Sequence, residues 1–177
     1  IFDPPRLPES GIYHFPREEN GGRTRIHLRV DPDGSGLLIV NANRVIHLNP
    51  SAASMAYLHL EKRSPDEAAH AFHKQYQASS DRVAQDYLEL GKQIEELLEP
   101  NGACPVCDLD LETTAPFSAK PSAPYRMDLA LTYRCNNNCA HCYNARARNF
   151  PELDLPGWKR IIDKVWSLRI PHIVFTG

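Results

Sequence analysis

The chain has 177 residues, of which 42% are hydrophobic and 24% charged, and its formal net charge at pH 7 is −2. This composition is typical of a globular protein, and the charge gives no reason to expect nucleic acid or an anionic membrane as a partner. No apolar run approaches the roughly 20 residues of a membrane span, and no signal peptide opens the sequence. All five cysteines follow residue 103 in close groups, which favours metal ligands in a reducing cytoplasm over a disulfide framework.

Proline, glycine and charged residues dominate the start of the chain, so residues 1–24 are predicted to be an irregular lead-in. Three strands are predicted to follow, at 25–31, 37–40 and 44–48. Polar and apolar residues alternate in the first of them, which predicts a strand with one buried face and with Arg29 and Asp31 on the other.

Three helices are predicted next. Asn49 can cap a helix that runs to about Lys62, and Ser64 with Glu67 forms a capping box for the second helix. The third helix is predicted from about Ser80 to Glu99, because apolar residues recur there at steps of four and three. These residues are Val83, Tyr87, Leu90, Ile94 and Leu97.

Strands followed by short helices over residues 25–100 predict an α+β, winged-helix-like domain of three strands and three helices. The segment Asn49-Pro-Ser, the motif Ser64-Pro-Asp-Glu and the long last helix resemble the PqqD-like domains, or RiPP recognition elements. The resemblance implies that a precursor (leader) peptide binds as an added strand beside the third strand, against the third helix. It implies as peptide-binding residues Val45, Ile46, His47, Leu48, Val83 and Tyr87.

Two other roles are open to this domain. A winged helix can bind DNA, but acidic residues outnumber basic residues between 64 and 99, and such a surface repels phosphates. The domain can also be purely structural, covering its neighbour without binding a ligand.

Residues 101–124 are predicted to be a proline-rich linker. It contains Cys104-Pro-Val-Cys107, whose two thiols could form half of a second metal site. A pair of reduced thiols without a metal is an equally good interpretation, since no partner ligands are evident.

Beyond the linker, the sequence predicts a strand at 126–132, a helix that begins near Asp154, and a strand at 170–176. The first strand is apolar enough for a parallel position that is buried on both faces. The helix is predicted to pack Trp158 and Trp166 in the core. This pattern is a βαβ unit, and the loop after its first strand lies where α/β folds place their chemistry.

That loop contains Cys135, Cys139 and Cys142 at a CxxxCxxC spacing. Three thiols this close are expected to converge on one soft metal centre and to leave one coordination position open, whereas a structural zinc site is closed by a fourth ligand. A zinc knuckle and buried thiols without a metal are the alternatives.

The CxxxCxxC loop after Leu129-Ala-Leu-Thr-Tyr-Arg resembles that of the radical S-adenosylmethionine (radical SAM) enzymes. The resemblance implies a [4Fe-4S] cluster on the three cysteines, with S-adenosyl-L-methionine on the free iron and His141 near the adenine. Reductive cleavage of S-adenosylmethionine would then generate a 5′-deoxyadenosyl radical. The family's second strand ends in a Gly-Gly-Glu-like turn near the methionyl group, and Gly177 matches its first glycine.

The sequence therefore predicts a radical SAM enzyme that modifies a ribosomally synthesised peptide, with a flavodoxin or ferredoxin as electron donor. Alternatives are a small-molecule or protein substrate with a structural first domain, and a non-catalytic metal-binding module. Because the chain opens at Ile1 and stops at Gly177, we expect residues 125–177 to be the start of a truncated radical SAM partial barrel. Residues 1–177 alone are expected to be inactive.

Overall fold

The computed structural model describes residues 5–19, 22–76, 79–99, 115, 118, 121–142 and 151–177. The chain divides into two compact units, Ile1–Pro121 and Ser122–Gly177. Among the described residues, no helix is long and apolar enough to cross a membrane.

The first unit contains a four-stranded antiparallel sheet in the order β1-β2-β3-β4. Its strands are β1 (Gly11–Glu19), β2 (Gly22–Val30), β3 (Gly36–Val40) and β4 (Arg44–Leu48). The prediction of three strands after an irregular lead-in was wrong, because β1 pairs with β2 over its whole length, from Gly11↔Val30 to Glu19↔Gly22. The bounds of β4 agree with the predicted third strand.

Three helices follow the sheet: α1 (Pro50–Leu60), α2 (Pro65–Tyr76) and α3 (Ser80–Leu98). The Asn49 side chain accepts a hydrogen bond from the Ala52 backbone N–H at 2.8 Å, as an N-cap residue does. The predicted capping box is confirmed, because the Ser64 N–H donates to Glu67 Oε2 at 2.8 Å and the Glu67 N–H donates to Ser64 Oγ at 3.3 Å.

Two apolar clusters stabilise the first unit. One lies between the sheet and the helices α1 and α3, and joins Ile26, Leu28 and Leu38 to Ala53, Ala56, Ile94 and Leu98. The other lies among the helices and contains Met55, Leu58, Ala68, Phe72, Val83 and Tyr87. The apolar stripe predicted for α3 is therefore confirmed, and it contributes to both clusters.

The second face of β2 is less exposed than the alternating pattern predicts. Arg29 is 0% exposed and Asp31 is 7% exposed. Arg29 Nε lies 3.1 Å from Asp31 Oδ1, and this ion pair compensates the charge that burial would otherwise leave unpaired. The neighbouring Leu37 and Ile39 are buried as well. The centre of this sheet is therefore buried on both faces.

The second unit contains β5 (Arg126–Ala130), α4 (Leu155–Ser167) and β6 (His172–Thr176). The strands β5 and β6 pair in parallel, from Arg126↔His172 to Ala130↔Thr176, as predicted for a βαβ unit. Asp154 caps α4 by accepting a hydrogen bond from the Gly157 N–H at 2.8 Å.

Two predictions about burial in the second unit were wrong. Only Leu129 is buried in β5, so this strand is not covered on both faces. Trp166 is 74% exposed, although its spacing predicted core packing. The small core of this unit consists of Ala123, Val165 and Ile170, with Met127, Ile161 and Ile173 packed against it. The described chain as a whole is α+β, with a four-stranded antiparallel sheet, a two-stranded parallel sheet and four helices.

Candidate functional sites

The CxxxCxxC loop leaves the carboxyl end of β5, next to the end of β6. The Leu131 N–H donates to Thr176 O at 2.8 Å, which continues the pairing one residue past β5. Gly177 packs so closely against Thr132 that a Cβ atom there would lie 2.8 Å from Thr132 Cγ2. A glycine at this position is therefore the residue that lets the two strand ends approach each other.

The three thiols of the loop are at least partly exposed to solvent. Cys135 and Cys139 are exposed and Cys142 is half-buried. A tight turn links two of them, since the Cys142 N–H donates to Cys139 O at 3.2 Å. Among the described residues, no group of three or more His, Cys, Asp or Glu side chains is arranged to hold a metal ion. The role of the three cysteines as cluster ligands stays a prediction.

The donor set of the loop nevertheless fits an iron–sulfur cluster. Thiolates are the protein ligands that these clusters take, and the described loop offers three of them, with His141 as the one further side chain between 135 and 142 of a type that binds metals. The exposure of Cys135 and Cys139 leaves room for a cluster to be inserted. Because metal binding couples to the ordering of its ligands, cluster insertion would order the three cysteines around the cluster.

A hydrogen-bonded group that the sequence analysis missed secures the start of this loop. Thr132 Oγ1 donates to Glu152 Oε1 at 2.5 Å, and Arg134 Nε lies 3.2 Å from Glu152 Oε2. The Arg134 N–H also donates to Thr132 Oγ1 at 3.0 Å. Glu152 thereby connects the segment before α4 to the strand end that leads into the first cysteine.

The remaining residues predicted for the cofactor sites are placed as follows. His141 is exposed in the turn between Cys139 and Cys142. Gly177 follows β6 and contacts Thr132, so it lies at the same strand ends as the loop. Cys104 and Cys107, the possible second metal site, lie outside the described residues.

The second candidate site is the free edge of β4. The Asp31 N–H donates to Ser35 O at 2.8 Å and the Asn41 N–H donates to Arg25 O at 2.9 Å, so odd-numbered residues of β3 bond to β2. Because bonding direction alternates along an antiparallel strand, the even-numbered residues of β3 bond to their partners in β4, which include Ile46. The N–H and C=O groups of Val45 and His47 therefore point away from the sheet.

The other edge of the sheet, β1, is blocked at its centre. The same alternation directs the backbone of the odd-numbered β1 residues towards β2 and that of the even-numbered residues outward. Pro16 occupies an outward position and has no N–H to donate, which is where a strand tolerates proline. Within the described chain neither edge pairs with another strand, but only the β4 edge has all of its donors.

The six residues predicted to bind peptide do not form one surface. Val45 and Ile46 are half-buried, His47 is exposed and Leu48 is buried in β4. Val83 and Tyr87 are buried among the helices, and Tyr87 Oη donates to Arg63 O at 2.6 Å. The structure therefore does not place Val83 and Tyr87 beside β4 on an open groove, and their role in peptide binding stays a prediction.

A third cluster, also missed by the sequence analysis, joins β1 to the helices. Arg17 binds Glu95 through two hydrogen bonds, Nη1 to Oε2 at 2.5 Å and Nη2 to Oε1 at 2.9 Å. His59 Nε2 lies 2.6 Å from Glu95 Oε1. The hydrogen bond from Arg17, and then that from His59, holds the pKa of Glu95 below its ordinary value of 4.5.

One signal in the sequence could have revealed this cluster. Gly91 interrupts α3, and a glycine inside a helix costs about 0.5–1 kcal/mol relative to alanine. A Cβ atom at this position would lie 2.7 Å from His59 Nδ1, so the glycine makes room for the imidazole ring.

Comparison with known proteins leaves the family of the chain open. No protein-family model matches the sequence, and it matches no curated protein and no solved structure.

Proposed function

We propose that this chain contains the cofactor-binding loop and the peptide-recruiting domain of a radical SAM enzyme that modifies a ribosomally synthesised peptide. The observation that carries the proposal is the CxxxCxxC loop at the carboxyl end of β5, which pairs in parallel with β6. In this proposal, β5, α4 and β6 form the first βαβ unit of the radical SAM barrel. The four-stranded sheet with α1, α2 and α3 is a winged-helix-like, PqqD-like domain.

The chain's own residues have distinct roles in the proposed site. Cys135, Cys139 and Cys142 would hold a [4Fe-4S] cluster, and Glu152 would position the loop through Thr132 and Arg134. The cluster, when bound, would supply the electron that cleaves S-adenosylmethionine. The exposed ring of His141 is available to stack on the adenine, and the backbone at Gly177 lies at the strand ends where the methionyl group would bind.

The peptide is proposed to bind at the β4 edge. Val45 and His47 present their backbone donors and acceptors there, and an extended peptide can add to such an edge as a further strand. Pro16 makes β1 the poorer edge, since each added strand needs the donor that proline lacks. The main-chain contact is thus proposed at β4, and a role for the buried Val83 and Tyr87 in peptide binding stays a prediction.

The cluster is tested by anaerobic reconstitution of the protein with iron and sulfide, followed by measurement of bound iron, bound sulfide and visible absorbance. We expect the wild-type protein to retain iron and sulfide in equal amounts. Cys139→Ala removes a ligand that no neighbouring residue replaces, so this variant is expected to lose most of both. Asn138→Ala, next to Cys139 in the same loop, removes no thiolate; it is the matched control and is expected to retain them.

Two results would contradict the assignment. Retention of iron and sulfide by Cys139→Ala would show that the loop does not hold the cluster. Tight binding of zinc in place of iron, with no iron–sulfur absorbance, would favour the alternative of a non-catalytic metal-binding module.

A further inference from the structure

The first unit contains a polar cavity that none of the proposed roles uses. It has a volume of about 510 Å³ and lies between β1, the C-terminal end of α1 and α3. Ligand pockets of this size are usually lined by apolar side chains. Here only Pro16 and Leu60 are apolar, and the other lining residues are charged or, in the case of His59, titratable. Such a lining suits a small charged ligand rather than an apolar one.

The charged side chains of the cavity differ in how fully each is paired with an opposite charge. Glu95 is neutralised by Arg17, which holds it with two hydrogen bonds, and it also contacts His59. Glu18 lines the cavity as an exposed carboxylate. Lys62 and Arg63 face the same space, and within the described chain Lys62 forms no ion pair. Among the lysine, arginine and glutamate side chains of the lining, three cations face two carboxylates, so these side chains give the cavity a net positive charge.

Arg63 is also only weakly engaged. Its Nη1 atom lies 3.5 Å from Glu67 Oε1, and both side chains are partly exposed. An exposed ion pair at this spacing contributes little, so the guanidinium can turn towards an anion in the cavity without a large loss of stability. Lys62 and Arg63 are neighbours in sequence, and together they offer donors for more than one oxygen atom of a ligand.

The backbone at Lys62 gives a second, independent observation. The Lys62 N–H donates to His59 O and the Arg63 N–H donates to Leu58 O, both at 2.9 Å, which is the Schellman arrangement at a helix end. Lys62 has φ 59°, a left-handed conformation that glycine adopts without strain. A lysine therefore stands where glycine would stabilise the fold, and its side chain lines the cavity.

We propose that this cavity binds an oxyanion group, either a phosphate or a carboxylate of a small molecule, and that Lys62 and Arg63 hold it. The charge-assisted hydrogen bonds that these two side chains can form are the stronger kind, and guanidinium and ammonium groups both bind phosphate and carboxylate oxygens. Glu95 keeps Arg17 and His59 in the wall of the cavity. This site shares no residue with the cysteine loop or the β4 edge, so it does not depend on the proposed function.

Binding is tested by amide chemical-shift titration of the 177-residue chain at constant ionic strength, with three probes. Inorganic phosphate and succinate represent the two sources of an oxyanion, and succinamide is the uncharged counterpart of succinate. We expect shifts at His59, Lys62 and Arg63 with phosphate, succinate or both, and none with succinamide. The probe that binds identifies the source. Absence of binding by both anions, or equal binding of succinamide, would overturn the proposal.

Two glycine variants separate binding from stability. Lys62→Gly relieves the backbone strain and removes the cationic side chain, so we expect the melting temperature to rise by about 4 °C and anion binding to weaken about tenfold. Arg169 has the same φ of 59° after α4 in the second unit, so Arg169→Gly is the matched control. It makes the equivalent change at a helix end outside the cavity, and we expect its anion binding to be unchanged. Equal loss of binding in both variants would contradict the proposal.

Arg63→Gln provides a test that does not alter the helix end. This variant keeps the length of a polar side chain but loses the charge, and we expect it to weaken anion binding about as much as Lys62→Gly does. Unchanged binding in both Arg63→Gln and Lys62→Gly would show that the anion, if it binds, is held elsewhere.

Discussion

At the scale of single residues, Glu95 is an acidic side chain with well-defined hydrogen-bond partners. Its two oxygen atoms accept hydrogen bonds from Arg17 and it contacts His59, which connects β1 and α1 to α3. These contacts favour the ionised carboxylate, so the pKa of Glu95 is lowered from 4.5 in the folded protein. The stability that Glu95 contributes is therefore present above pH 4.5 and is lost as the pH falls through the lowered pKa.

The direction of this pKa shift leads to a prediction for Glu95→Gln. The variant cannot form the ion pair with Arg17, so near neutral pH we expect it to be less stable than the wild-type protein, by an amount that is modest because Glu95 is partly exposed. As the pH falls below 4.5, the difference should shrink, since the wild-type carboxylate becomes protonated. Denaturant unfolding over this pH range measures the difference.

Glu89→Gln is the matched control, because Glu89 lies on the same helix and forms no ion pair among the described residues. We expect this variant to follow the wild-type curve. A difference between Glu95→Gln and wild type that stays constant down to strongly acidic pH would refute the proposed contribution of the Glu95 carboxylate.

At the scale of elements, the two edges of the sheet show what the sequence could and could not predict. The strand β4 and the caps of α1 and α2 follow from alternation, Asn49 and the Ser64 box, and all of these are local signals. The strand β1 was missed because Pro16, glycine and charges indicate irregular structure. Its pairing with β2 depends on register, since the missing N–H of Pro16 points outward and costs no hydrogen bond.

The same register gives a prediction for peptide binding at β4. His47→Pro removes an outward N–H without breaking the bonds to β3, so the domain should stay folded while binding of an added strand weakens about fivefold. The probe is a set of peptides selected from a displayed random library on the wild-type protein. Their affinities for each variant are measured by fluorescence anisotropy.

Two further proline variants complete this comparison. His14→Pro makes the equivalent change at an outward position of β1, and we expect it to leave peptide binding unchanged. Ile46→Pro removes a donor that bonds to β3, and we expect it to destabilise the domain itself. Equal loss of peptide binding in His14→Pro and His47→Pro would argue against the β4 edge as the binding site.

At the scale of the whole molecule, the chain combines an α+β domain with a separate βαβ unit. The sequence could predict β5, α4 and β6, because each of these elements is indicated by residues within a few positions of one another, and their order favours the parallel pairing that the structure shows. The sequence could not predict that Glu152, 20 residues after Thr132, binds its hydroxyl and so holds the start of the loop. Such features depend on how distant segments meet, which no local pattern encodes.

The central claim is that the loop of Cys135, Cys139 and Cys142 holds a cluster with one iron open to S-adenosylmethionine. The most direct measurement is electron paramagnetic resonance of the reconstituted, reduced protein before and after S-adenosylmethionine is added. We predict an iron–sulfur signal that changes in shape on addition, because the ligand binds the iron that lacks a thiolate. A signal that is identical with and without S-adenosylmethionine, or no iron–sulfur signal at all, would contradict this account.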